Sequence, residues 1–204
     1  APSQYLASIA EESAWEQYPF SLLKLMQTTN QSPRHHPEGS VWNHTLLVVD
    51  QGAQRKNRST NPLGFMWAAM LHDIGKPPAT KIRKGRITAY NHDKIGAKLA
   101  GEFLGFLDQE RMFISYVCNL IRYHMHILYV VKGLPYGDID TMLESVDIRD
   151  VALLGLCDRL GRTGADKQEE EESINKFLQL CCRHKKKCDP NTAKQPLEDS
   201  EYGI

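Results

Sequence analysis

Four polar residues sit where the sequence around them is apolar: His44, His72, Asp73 and Asp158. His72 and Asp73 close the run Phe65–Leu71, and a carboxylate there is desolvated, which is costly unless a cation or several donors compensate it. Asp158 meets the same difficulty among Leu153, Leu154, Leu156, Cys157 and Leu160. His44 shares a helical face with Val41, Leu47 and Val48. Imidazole nitrogens and carboxylate oxygens together suit a divalent first-row ion or Mg. Two histidines and two aspartates would leave coordination positions for water and a substrate oxygen. Each residue also has a blander reading: His44 as a hydrogen-bonded core group, Asp73 as a turn contact to Lys76, Asp158 as the partner of Arg122 or Arg159. A shared cation accounts for all four at once.

The elements that must carry these groups are helical, because the 3.6-residue apolar period recurs and strand signals are scarce. Leu6–Gln27 reads as one or two amphipathic helices, and Thr28–Ser40, with Pro33, Pro37 and Gly39, as a loop. A helix is expected over Val41–Asn57. Asn61 and Pro62 then make a helix start that runs to the His72-Asp73 pair, where Gly75 is a stop and Pro77-Pro78 forbid continuation. Thr80–Tyr90 alternates as a small β-hairpin turning at Lys84-Gly85. Helices follow over His92–Leu104, Asp108–His126, Asp138–Glu144, Asp147–Leu160 and Asp166–Lys187, with a loop at Gly133–Gly137. The fold class expected is an all-α bundle with that one hairpin. Residues 1–165 form the domain, 166–187 a charged C-terminal helix, and 188–204 a disordered polar tail.

Bulk properties exclude some functions. The formal net charge is zero, with 25 basic and 25 acidic side chains, so stable DNA binding is not expected. No apolar run approaches the roughly 20 residues of a membrane span, and no cationic start precedes an apolar stretch as in a secretory signal. Five cysteines, Cys118, Cys157, Cys181, Cys182 and Cys188, are odd in number and do not suggest a disulfide framework. Cytoplasmic residence is the expectation.

Longer segments extend the four residues. They are His36-Pro37-Glu38-Gly39-Ser40-Val41-Trp42-Asn43-His44-Thr45, His72-Asp73-Ile74-Gly75-Lys76-Pro77, Tyr90-Asn91-His92-Asp93 with Gly96-Ala97, Arg122-Tyr123-His124-Met125, and Cys157-Asp158-Arg159-Leu160-Gly161-Arg162. Their order over about residues 33–165 resembles the HD superfamily of metal-dependent phosphohydrolases, in particular the HD domain within bacterial tRNA CCA-adding nucleotidyltransferases. The resemblance implies a helical bundle around a divalent ion (Mn, Mg, Ni, Co, Fe or Zn), held by His44, His72, Asp73 and Asp158. It implies that His92 and His124 hold a second ion or contact phosphate, and that Lys76 binds a phosphate oxygen. It also implies 2′,3′-cyclic phosphodiesterase, 2′-nucleotidase and phosphatase activity on a nucleotide or RNA-end phosphate. Asp73 joins Lys76, His92 and His124 as catalytic candidates, an imidazole being suited to protonate a leaving oxygen.

Two departures qualify the match. No Gly-Ser followed by a paired-aspartate strand is present, and Asp138-Ile139-Asp140 reads as a helix cap, so nucleotide addition to tRNA is not expected. The segment that often reads Gly-His-Glu is Asn91-His92-Asp93, with a shorter acid. Related readings are a nucleoside 5′-monophosphatase, a cyclic-nucleotide phosphodiesterase, and a non-catalytic nucleotide-binding module. Lys81, Arg83, Lys84 and Arg86 in the hairpin either attract anions or solvate an exposed strand. Cys181, Cys182, His184 and Cys188 have zinc-ligand types at a spacing that fits poorly. Trp15, Trp42 and Trp67 are read as packing residues.

Overall fold

The computed structural model describes residues 1–188, with the side chains of 186–188 outside the description. The expected disordered tail, apart from Cys188, therefore lies outside the described residues. The chain forms α1 (Pro2–Ile9), a 3-10 turn at Ser13–Glu16, α2 (Ser21–Thr28), α3 (Val41–Arg55) and α4 (Pro62–Leu71). A short α5 (Lys76–Ala79) leads into the hairpin β1 (Thr80–Arg83) and β2 (Arg86–Ala89). Then come α6 (His92–Phe106), α7 (Arg111–Tyr123), α8 (His126–Val131), α9 (Ile139–Ser145), α10 (Ile148–Leu160) and α11 (Lys167–Cys188). This is the all-α bundle with one antiparallel hairpin.

Local chemistry sets the boundaries. The Asn61 side chain accepts from Gly64 N at 3.0 Å and Pro62 occupies the first turn of α4, so an otherwise unsatisfied amide is capped. Ser40 caps α3 in the same way through Asn43 N. Asp138 caps α9 through Thr141 N, as its sequence position suggests. In the hairpin, Arg83 pairs with Arg86 and both turn residues have positive φ, 49° at Lys84 and 72° at Gly85. That is the backbone twist a two-residue hairpin loop favours.

Leu6–Gln27 takes the two-helix form, α1 and α2 being separated by the 3-10 turn and Pro19, which has no amide to donate. Two boundaries differ from expectation. Asp108–His126 is two helices, interrupted at His124-Met125, and the second continues to Val131. Pro77 and Pro78 do not end helical structure; they sit in the first turn of α5, where proline is tolerated. Gly75 is accordingly not a left-handed stop (its φ is −82°). It is glycine because of contact: a Cβ there would lie 2.1 Å from His92 O and 2.5 Å from Gly96 N. That close approach seats the start of α6 on the turn after α4.

α4 and α10 are buried on nearly all sides, with Phe65, Ala68, Ala69 and Leu71 in one and Val151–Cys157 in the other. α3, α4, α7 and α10 pack on one another, α6 lies on α7, and α11 covers α10 and α8. Trp15 and Trp42 meet edge to face at 5.2 Å inside this core, and Trp67 packs on Phe103 at 5.9 Å. No helix among the described residues is long and apolar enough to cross a membrane.

Candidate metal centre

Helix ends deliver the polar groups to one place. His72 caps the C-terminus of α4 and Asp73 begins the turn held by Gly75. His124 caps α7, and His92 opens α6 after Asn91, whose φ of 61° bends the chain from β2 into the helix. His44 comes from the middle of α3 and Asp158 from the last turn of α10. All six are buried, from 0% exposure at His44 and His72 to 8% at Asp158.

The hydrogen bonds on the far side of each ring fix its protonation. Nδ1 of His72 donates to Ala69 O (2.8 Å), Nδ1 of His92 to Ala89 O (2.7 Å), and Nδ1 of His124 to Ile121 O (2.6 Å). A carbonyl only accepts, so the proton resides on Nδ1 and each Nε2 presents a lone pair. Nδ1 of His44 lies 2.8 Å from the Glu38 carboxylate, which assigns it the same tautomer. The lone pairs then converge on carboxylates. His44 Nε2 is 3.0 Å from Asp158 Oδ1, and His72 Nε2 is 3.2 Å from Asp73 Oδ2. His92 Nε2 is 3.5 Å from Asp73 Oδ1 and 3.3 Å from His124 Nε2.

Six buried acceptors thus face one another, and His72 Nε2 has no hydrogen-bond donor at all. Such an array is unfavourable by itself, and a cation is what reconciles it. The donor set fits a divalent metal: the ligand atoms of His44, His72 and Asp158 lie within 4.8 Å of one another, and so do those of Asp73, His92 and His124. Asp73 stands between the two groups, one oxygen toward His72 and the other toward His92 and His124.

Charge around the site is consistent with this. Burial works to raise the Asp73 carboxyl, but Lys76 and His72 hold it well below the ordinary range; Asp158 is held down likewise, by Arg162 and His44. Burial pushes His92 down, and with His92 beside it takes His124 to about 4, so both rings are neutral near pH 7. At His44 the burial penalty is outweighed by Asp158 and Glu38, and its pKa rises.

Lys76 Nζ is 2.6 Å from Asp73 Oδ2 and 2.5 Å from Gln31 Oε1, so the Asp73–Lys76 contact coexists with the shared site rather than replacing it. Neither arginine expected beside Asp158 is there: Arg122 pairs with Asp93 (2.7 Å) and Arg159 with Glu170 (2.9 Å). The partner is Arg162, at 3.4 Å, one helical turn on from Asp158 and beyond the end of α10. Asp93 is therefore engaged by the arginine two residues before His124. Cys181 is buried, Cys182 half-buried, and His184 bonds Asp140 at 2.8 Å; no metal-spaced group among the described residues includes them. The Cys188 side chain lies outside the described residues.

Sequence reasoning gave no role to Glu38, Gln31 or Arg162. Glu38 binds the Nδ1 atoms of both His36 (2.9 Å) and His44, and its carboxyl is lowered to about 2 as those bonds override its burial. Its signal was present, an acid six residues before a buried histidine, but the intervening loop hid the contact. Asp73, His92, His124 and Asp158 of the centre line an open cavity of about 880 Å³, whose other walls include His36, Lys76, Tyr129 and Arg162. The basic hairpin side chains are exposed beside this cavity rather than lining it.

The HD-domain family model matches residues 41–160. The chain belongs to the HD-domain family, a superfamily of metal-dependent phosphohydrolases. It is 28% identical over 145 residues to the multifunctional CCA protein of Actinobacillus pleuropneumoniae serotype 5b, covering 68% of this chain and 35% of that one. It is 25% identical over 185 residues to the multifunctional CCA protein of Methylococcus capsulatus, covering 89% and 36%. The namesake from Verminephrobacter eiseniae is 30% identical over 148 residues, covering 66% and 32%. The chain spans about a third of the length of these curated relatives.

Proposed function

We propose that this chain is a metal-dependent phosphohydrolase that cleaves nucleotide phosphoesters, with 2′,3′-cyclic phosphodiester, 2′-phosphate and simple phosphomonoester bonds as its substrates. The observation that carries this reading is the convergence of four imidazoles and two carboxylates beside an open cavity, with Lys76 and Arg162 at its edge and His72 Nε2 left without any hydrogen-bond donor. His44, His72, Asp73 and Asp158 would hold one ion; His92 and His124, sharing Asp73, would hold a second. A divalent ion bound there lowers the pKa of water and neutralises charge on the phosphoryl oxygens.

The chain's own groups do the rest. Lys76, held at the cavity edge by Asp73 and Gln31, is within reach to pair with a non-bridging phosphate oxygen, and Arg162 offers a second cation on the same wall. The carbonyl bonds from Ala69, Ala89 and Ile121 keep three imidazoles in the tautomer that binds rather than donates. If His92 or His124 is not engaged by an ion, the same Nε2 is the group placed to exchange a proton with a leaving oxygen.

Protein freed of metal and reloaded separately with Mn, Mg, Ni and Co should be assayed on an aryl phosphate, 2′,3′-cyclic AMP, and 2′-, 3′- and 5′-AMP. Turnover of the cyclic and 2′ substrates that disappears on chelation is expected. A strong preference for 5′-AMP would replace the reading with a 5′-monophosphatase. No turnover with any ion would leave a nucleotide-binding module.

A further inference from the structure

The cavity is larger and more aromatic than phosphate chemistry requires. Its volume of about 880 Å³ is near the top of the range of roughly 300–1,000 Å³ common for small-ligand sites. Away from the metal floor it carries two aromatic stations from separate segments. One is Tyr90, 63% exposed, directly after β2, with the Arg83 guanidinium 5.1 Å from its ring centroid. The other is Tyr129 of α8 with Tyr136, 66% exposed, their centroids 5.6 Å apart, beside Lys132 and Leu128. The hairpin that supplies the first station has four basic side chains and no acidic one between Thr80 and Tyr90, in a chain whose net charge is zero.

Exposed Tyr90 and Tyr136, with half-buried Tyr129 packed between His126 and Tyr136, lie beside cations and line one cavity, and these are the ingredients of a single-strand nucleic acid site. Every base offers a flat face to an aromatic ring, and an arginine stacked on the ring adds attraction for the linking phosphate. One base would engage one station; two stations in one cavity ask for two. We infer that this site takes the end of a single-stranded oligonucleotide of at least two nucleotides, in preference to a free mononucleotide. The terminal phosphoester sits at the metal centre, one base stacks at Tyr90–Arg83 and one at Tyr129–Tyr136. This inference rests on the hydrolase reading for what happens at the floor, but not for the binding.

Two measurements separate the parts. In the first, the metal-loaded protein is compared on 2′,3′-cyclic AMP and on a tetraadenylate ending in the same cyclic phosphate. The ratio of kcat/KM values should favour the tetranucleotide by about tenfold or more, the scale of one extra base–aromatic stack. Tyr90→Ala and Tyr136→Ala should each bring the ratio toward one, and Tyr136→Phe should retain it. In the second, fluorescence anisotropy follows a labelled tetraadenylate without a terminal phosphate, which needs no turnover. Saturable binding that weakens in Tyr90→Ala and Tyr136→Ala supports the stations even if no phosphoester is cleaved. Cyclic AMP turned over as well as the tetranucleotide, with no saturable binding, overturns the inference and leaves the hydrolase reading intact.

Discussion

Two aspartates on α10, eight residues apart, are both buried and meet opposite surroundings. Asp150, 1% exposed, receives Thr60 N at 3.1 Å, the Thr60 hydroxyl, and the Tyr116 hydroxyl at 2.8 Å. Its charge is met by donors, and it ties the loop before α4 and the helix α7 to the start of α10. Asp158, 8% exposed, meets one histidine nitrogen and one long arginine contact, and with Asp73 it belongs to a cluster of metal-ligand groups. Burial alone therefore does not mark a functional acid. The inventory of donors facing it does: a buried carboxylate with a full set of donors is structural, and one surrounded by further acceptors awaits a cation.

The sharpest way to break this comparison is to remove one acid from each side. Asp73→Ala should abolish phosphoester turnover and bound metal, measured by elemental analysis, while the metal-free protein keeps its melting temperature. Asp150→Ala should do the reverse. It strands Thr60 N and the Tyr116 hydroxyl, at a cost of roughly 2–4 kcal/mol. That lowers Tm by about 5–15 °C in a chain of this size, with metal content unchanged. Loss of metal in Asp150→Ala below its melting temperature, or a normal metal content in Asp73→Ala, would remove the distinction.

A smaller effect tests how the acceptors are held. Three of the four imidazoles lean on backbone carbonyls, which no substitution removes, but His44 leans on the side chain of Glu38. Glu38→Ala should weaken metal affinity by roughly 10–100-fold, the usual consequence of losing such an outer partner. Competition with a fluorescent chelator reads this directly. Undiminished affinity would show that Glu38 organises the loop, through Thr163 N and His36, and not the metal site.

How much of this was legible in advance follows the same division. The buried helices α4 and α10 and the hairpin were readable because apolar runs, the Asn61-Pro62 start and Lys84-Gly85 are local signals. His44, His72, Asp73 and Asp158 stood out because a charged or polar residue in a greasy run is a local anomaly. What failed were statements about partners. Asp158 is met by Arg162, four residues on, and not by Arg122 or Arg159, because Asp93 and Glu170 on other helices hold those two arginines and no local pattern announces such partners. Gly75 has the local signature of a helix stop, but the reason for it, the His92 carbonyl 2.1 Å from where a Cβ would sit, comes from another element. Gln31 and Glu38 lie in a loop without periodicity, so their convergence on Lys76 and His44 had no sequence signature.

The mildest prediction concerns protons, which compete for the same lone pairs as the cation. Burial holds the imidazoles of His36 and His126 at about 4, and burial together with His92 does the same for His124. An unfolded histidine titrates near 6.5, so between about 6.5 and 4 the unfolded chain binds more protons than the folded one. Stability contributed by these groups is complete above 6.5 and is lost as pH falls toward 4. His44, whose pKa is raised, acts in the opposite sense, but it is one group against four, since burial lowers His92 as well. The metal-free protein should accordingly melt progressively lower from pH 7 to pH 5. His126→Leu should flatten part of that slope without altering metal content, since neither nitrogen of His126 has a hydrogen-bond partner to lose. A melting temperature constant from pH 7 to pH 5 would mean that the histidines are not held neutral in the fold. The imidazoles of the centre would then not be held as neutral metal-binding rings.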